Sequence, residues 1–250
     1  TIFQQQQIIY TYKGILGRFA PIIVHISMLL ILLGNTIAAW GSFNAQELIP
    51  KGEIFQVQNT ISKSWFTKIP DYPIRVNDFW IEYGPTNNIK QFYSDLSVLN
   101  DNGTELSRKT ISVNFPLRFK NLTLYQTDWN AIGLRIKLNN QQYQLPLVSL
   151  TKAKNLWVAW IPISETEQTG FTFIANTLNG TFSLYNENGT FLGIYNCGEK
   201  ILPNLSILEI ITETGLQIKT DPGIPLIYFG FGLLMISSLI SYFSFTQFWL

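Results

Sequence analysis

The sequence predicts a membrane α plus all-β protein: two transmembrane helices flanking a large antiparallel β-rich extracytoplasmic domain, sandwich or barrel-like. Three observations predict it. Residues 19–40 and 224–245 contain no Asp, Glu, Lys or Arg. Only 13% of the chain is charged and 46% is hydrophobic, where about 25% charged is usual for soluble domains. Between the two apolar windows, apolar and polar residues alternate in short runs separated by turn residues.

The first window, FAPIIVHISMLLILLGNTIAAW, has a helical length of about 33 Å, enough to cross a hydrocarbon core of about 30 Å. Pro21 is expected in its first turn, where a missing N–H is harmless. Trp40 stands where an interfacial aromatic belongs. A cleaved signal peptide is the competing reading, but the apolar stretch is too long and lies behind 18 polar or mixed residues. The second window, IPLIYFGFGLLMISSLISYFSF, follows a predicted Asp221-Pro222-Gly223 turn. Gly230 and Gly232 offer a place for another helix to approach, and Ser237, Ser238 and Ser241 are expected to hydrogen-bond across an interface.

The expected boundaries are a membrane-proximal segment 1–18, a helix 19–40, a β-rich domain 41–223, a helix 224–245 and a tail beginning at 246. Two uncleaved spans put both termini on one membrane face. Lys13 and Arg18 tip that face weakly toward the cytoplasmic type, against Lys51 and Lys219 on the other side. The chain starts at Thr1 and stops after Phe248-Trp249-Leu250, so both ends are expected to be cut from something longer.

Within 41–223, hairpins are expected around Asn100-Asp101-Asn102-Gly103, Asn139-Asn140-Gln141, Asn186-Glu187-Asn188-Gly189 and Thr212-Glu213-Thr214-Gly215. Phe79, Ile81 and Tyr83 form an alternating strand ending at Gly84-Pro85. Asp78, Glu82 and Asp95 are expected on solvated strand faces.

Net charge is +1, which gives no electrostatic case for nucleic acid. Cys197 is the only cysteine; it forms no internal disulfide or CxxC pair and is expected to be a small residue at a strand end. With His25 the only histidine, a Ser-His-Asp triad in the β domain is impossible. His25 lies in the first span, where an ionisable group is costly and by default functional. Three roles stay open: a hydrogen bond to a neighbouring helix, a proton relay, or ligation of a metal or haem iron. Arg18, seven residues earlier, is almost on the same helical face and about 10 Å nearer the membrane surface. It could meet haem propionates or lipid headgroups.

The string Gly17-Arg18-Phe19-Ala20-Pro21-Ile22-Ile23-Val24-His25-Ile26-Ser27 resembles the GRFGP-x-x-VH-x-S opening of a membrane helix in the ResB/CcsB family of c-type cytochrome biogenesis proteins. Four further stretches resemble the family in order. They are Phe92-Tyr93-Ser94-Asp95-Leu96-Ser97-Val98, Thr110-Ile111-Ser112-Val113-Asn114-Phe115-Pro116-Leu117, Tyr125-Gln126-Thr127-Asp128-Trp129, and Gly215-Leu216 with Asp221 through Phe231.

The resemblance implies a System II subunit that holds haem b in transit and passes it across the membrane for covalent attachment to apocytochromes c, cytochrome f among them. It implies His25 as an axial haem ligand and a CcsA-type haem-handling membrane protein supplying the opposing ligand. It implies no catalytic residue of the chain's own. Members usually have about four spans, so the chain resembles a fragment lacking the first two. The Asn-, Ile- and Lys-leaning composition fits the plastid form, in the thylakoid membrane with the β domain in the lumen. The alternative is a bacterial cytoplasmic membrane with the domain outside. A different class of function also competes: a membrane-anchored binding or structural module in which His25 makes only an interhelical hydrogen bond.

Overall fold

The computed structural model describes residues 2–5, 8–13, 16–67, 69–86, 88–150, 156–163, 169–244 and 246–249, with side chains between Phe19 and Tyr242. Strands β1 (Ile2–Gln5) and β2 (Ile8–Lys13) precede helix α1 (Leu16–Gly41). The chain then runs through β3 (Phe43–Pro50), β4 (Ile54–Phe55), β5 (Thr60–Lys63), β6 (Ile74–Tyr83), β7 (Ile89–Leu99), β8 (Glu105–Ser112) and β9 (Leu117–Phe119). Next come β10 (Leu122–Leu138), β11 (Gln141–Pro146), β12 (Val148–Ser149), β13 (Trp157–Pro162), β14 (Gly170–Ala175) and β15 (Thr181–Asn186). Strands β16 (Phe191–Asn196), β17 (Lys200–Leu202) and β18 (Leu205–Thr220) lead to helix α2 (Ile224–Ser244) and β19 (Thr246–Trp249). Two apolar helices thus flank a large antiparallel β-rich region, as expected.

The chain divides into two compact units. One comprises residues 1–44, 61–69 and 219–250, and the other residues 45–60 and 70–218.

In the first unit the two helices pack antiparallel, because small residues recur every seven positions on both. Ala20, Ser27 and Gly34 are buried on α1, and Gly223, Gly230 and Ser237 are buried at or along α2. A seven-residue repeat is 3.5 residues per turn, the period that keeps one seam facing a partner, and small residues let backbones approach where no water drives association. The fit is close. A Cβ on Gly230 would come within 2.8 Å of Ile31 Cγ1 and 3.1 Å of the Ser27 carbonyl, and one on Gly34 within 2.7 Å of Ile227 Cγ1.

Gly232, expected at the same contact, faces open space. Gly230→Leu is therefore expected to destabilise the helix pair by about 1–3 kcal/mol through overpacking, and Gly232→Leu to leave it unchanged. Thermal unfolding of the two variants in detergent checks this. Ser237 and Ser238 do not bond across the interface as expected: both hydroxyls donate to the Leu234 carbonyl of their own helix. A carbonyl one turn back is always within reach of a helical serine. Pro21 is likewise not in the first turn, because the helix starts earlier, at Leu16. Strands β1, β2 and β19 form a three-stranded antiparallel sheet in this unit, which the hydropathy pattern of the termini had not suggested.

Most of the remaining strands lie in the second unit, and the chain's antiparallel sheets run β11-β10-β18-β3-β5 (with β9 and β17 attached), β12-β13-β14-β15-β16 and β4-β6-β7-β8. Period-two burial builds them. Along β13, Trp157, Ala159 and Ile161 are buried and their neighbours are not. The turns work as their residues suggest: Asn139 and Asn140 take positive φ values of 50° and 71° between β10 and β11, and Asn100 and Asn186 accept backbone N–H groups in the β7–β8 and β15–β16 hairpins. An apolar core joins β10, β13, β14, β15 and β18 around Phe173, which is 0% exposed and packs on Phe182 with ring centroids 4.8 Å apart and planes tilted by 31°.

Two expectations fail here, for one reason. Thr212-Glu213-Thr214-Gly215 is not a turn but lies inside the continuous strand β18. Thr214 is buried, and its hydroxyl is 2.8 Å from Ser94 Oγ and accepts from Gln126 Nε2 at 2.7 Å, while Ser94 donates to Gln126 Oε1. Gly215 lies where a Cβ would come within 2.9 Å of Asp128 Cβ. Asp95 is not on a solvated face either. It is buried and takes a two-nitrogen grip from Arg108, Nη2 donating at 2.5 Å and Nε at 3.0 Å. Polar residues sit inside the sheet in both cases because cross-strand partners replace water. Asp78 and Glu82 are half-exposed and paired with Lys51 and Lys90.

Candidate functional site

The imidazole of His25 is set by its own helix. Its Nδ1 lies 2.7 Å from the carbonyl of Pro21, one turn back. A carbonyl oxygen only accepts, so Nδ1 carries a proton, and in the neutral ring it is Nε2 that keeps the lone pair. That is the tautomer in which an imidazole binds a metal through Nε2, its other nitrogen anchored by a hydrogen bond.

Direction matters as much as tautomer. His25 stands two residues before the seam residue Ser27, about 200° around the helix, and it is exposed whereas Ser27 is fully buried. Ile22, Met28, Leu29 and Leu32 are also exposed on α1. The face carrying His25 is therefore open, apolar and turned away from α2. Among the described residues His25 makes no hydrogen bond to α2. The donor set, one imidazole nitrogen beside apolar side chains, suits the iron of an apolar macrocycle better than a bare cation. Among the described residues no cluster of His, Cys, Asp or Glu could hold a metal ion. The side chain of Arg18, the other expected site residue, lies outside the described residues.

α1 and α2 include stretches of 23 and 19 residues long and apolar enough to cross a membrane. Asp221 starts the second, its Oδ1 accepting the Gly223 N–H, and the last turn of the first is closed by Ser42 N–H donating to the Ala38 carbonyl.

In the β unit, Cys197 follows β16 in a turn, its N–H donating to the Gly180 carbonyl. It lines a cleft of about 280 Å³ with Trp80, Leu178 and Glu209 among others. Burial, with the Glu209 carboxylate adding to it, pushes the thiol up to about 11. A thiol two units above its ordinary 9.0 holds roughly a hundredfold less thiolate at neutral pH. Alkylation of Cys197 by iodoacetamide at pH 8 is expected to be slower than that of a free thiol by about that factor, and rapid only after unfolding. Trp129, which ends the family-like stretch Tyr125–Trp129, packs on Trp157 at the edge of the core.

Geometry thus defines a class: two membrane-length helices bracketing an antiparallel β unit, with the lone histidine on the open face of the first helix. The chain belongs to the ResB-like family, whose model matches residues 2–194. It is 50% identical over 256 residues to the cytochrome c biogenesis protein Ccs1 of Heterosigma akashiwo, covering 100% of this chain and 60% of that protein. Ccs1 of Trieres chinensis is 50% identical over 254 residues, with the same coverage. The cytochrome c biogenesis protein CcsB of Synechococcus sp. is 45% identical over 266 residues, covering 99% of this chain and 55% of that protein. The chain spans about 60% of the length of the first two of these relatives.

Proposed function

We propose that this chain is the part of a cytochrome c biogenesis protein that holds haem b within the membrane and delivers it for attachment to apocytochromes c, cytochrome f among them. The orientation of His25 carries the reading: a neutral imidazole, anchored through Nδ1 on Pro21, presents Nε2 from an open apolar helix face. Haem is cargo here. His25 Nε2 is one axial ligand, Ile22 and Leu29 lie along the same face for the macrocycle, and Arg18 at the helix start is the propionate contact.

A CcsA-type membrane partner supplies the second axial ligand, as a bis-imidazole site needs two histidines and this sequence has one. Cys197 is held as a thiol by burial, so it offers no nucleophile for thioether formation, and bond-making falls to the haem, the apocytochrome thiols and the partner. We place α1 and α2 across the thylakoid membrane (or a bacterial cytoplasmic membrane), with residues 41–223 on the lumenal or outer side. Chain connectivity supports one common face for residues 41–223, since α1 leads into the β strands and they lead back into α2.

The test is the haem content of the full-length protein purified with and without its CcsA-type partner. Bound haem b is expected in the complex and much less in the protein alone, since one ligand is then missing. Absence of haem from both preparations would contradict the proposal.

A further inference from the structure

The turn Ser64–Thr67 carries two strongly exposed aromatic side chains beside the end of α1, Trp65 at 95% and Phe66 at 77%. It is not a free loop. A helix ends with carbonyls that have lost their partners, and this turn supplies them. Phe66 N–H donates to the Trp40 carbonyl at 3.1 Å, and Ser64 N–H and the Thr67 hydroxyl both donate to the Ser42 carbonyl, at 3.0 and 2.9 Å. The turn closes on itself through Thr67 N–H to the Ser64 carbonyl, and the Phe66 ring meets Trp40 edge-on at 6.4 Å. Trp65 and Phe66 are thereby fixed to the end of α1.

That end is marked by other exposed aromatics, Trp40 on α1 and Tyr228 one turn into α2, and the opposite end by Phe19 and Tyr242. Phe19 and Trp40 are separated by about 32 Å of helix, close to the thickness of a hydrocarbon core. Trp side chains prefer the boundary between acyl chains and headgroups, where the ring is buried and the indole N–H stays wet. We infer that the Trp65–Phe66 turn inserts into the lipid headgroup boundary at the C-terminal end of α1 and so fixes the depth at which α1, with His25, sits in the bilayer. Its occupant is lipid because the patch continues the apolar surface of a membrane-length helix and is bound to that helix's last carbonyls. The inference rests on the membrane reading of α1 proposed above.

The test uses the intact protein in phosphatidylcholine nanodiscs, whose two faces are both open to solutes. Emission from Trp65 is taken as the difference between the native protein and Trp65→Phe, and from Trp40 as the difference against Trp40→Phe. Lipids brominated near the headgroup are expected to quench Trp65 more strongly than lipids brominated near the acyl ends, and aqueous iodide to quench it poorly. Quenching by iodide without quenching by bromolipid would place Trp65 in water and overturn the inference. Protection from both would place it against protein and overturn it equally. Trp40 separates the two readings. Trp40 quenched by bromolipid while Trp65 is not removes the lipid contact alone, whereas neither being quenched removes the membrane placement of α1 as well.

Discussion

His25→Ala is expected to abolish accumulation of mature cytochrome c while leaving both units of the protein folded. The substitution removes the one strong iron ligand of the chain and touches little else. His25 is exposed, and among the described residues its ring bonds only to the Pro21 carbonyl of its own helix, so no described cross-helix bond is lost. Loss of an outer partner of a ligand typically costs roughly 10–100-fold in metal affinity, and loss of the ligand itself is expected to cost at least as much. Holocytochrome levels in cells carrying the variant, with the protein's own abundance as control, give the readout. Normal cytochrome levels would mean that His25 is dispensable. A proton relay through the same residue predicts a defect too, but one that exogenous imidazole does not repair by restoring a haem spectrum.

Phe173→Ala is expected to be the most damaging change in the β unit. The ring is fully buried where β10, β13, β14, β15 and β18 meet and packs on Phe182. Truncating a buried aromatic costs about 3–5 kcal/mol, a large share of the roughly 5–15 kcal/mol that holds a domain together. In the membrane-bound full-length protein this is expected to raise proteolysis of residues 45–218 by roughly a hundredfold or more, since cleavage tracks the population of the open form. Phe173→Leu, which keeps most of the volume, is expected to give a far smaller change. Cytochrome maturation should fall with the unit's stability if the unit receives the apocytochrome. Full maturation in a chain whose β unit is rapidly degraded would separate the two.

Features governed by a single local rule were legible in the sequence. The two apolar windows became α1 and α2, and hairpins with Asn- and Gly-rich loops formed where expected. What failed depended on contacts distant in the chain. Thr212 through Gly215 has turn composition, and only the burial of Thr214 against Ser94 and Gln126 makes it strand. Asp95 looked like a surface charge because Arg108 reaches it from the next strand.

The site was half legible. Sequence located His25 in a span but not on a face. The signal that assigns the face was present in Ala20, Ser27 and Gly34 and in Gly223, Gly230 and Ser237, each set spaced by seven, but such a stripe gains meaning only when its partner helix is known. The Trp65–Phe66 turn gave no periodic signal, since its position comes from hydrogen bonds to the end of α1 more than twenty residues earlier.

Ligation of haem iron by His25 Nε2 is read from the visible spectrum of the full-length protein purified with its CcsA-type partner, native and His25→Gly. The Soret band is expected to be lost or shifted in the variant and to return when free imidazole fills the space left by the side chain. A Soret band unchanged by the substitution, with no imidazole added, would contradict it.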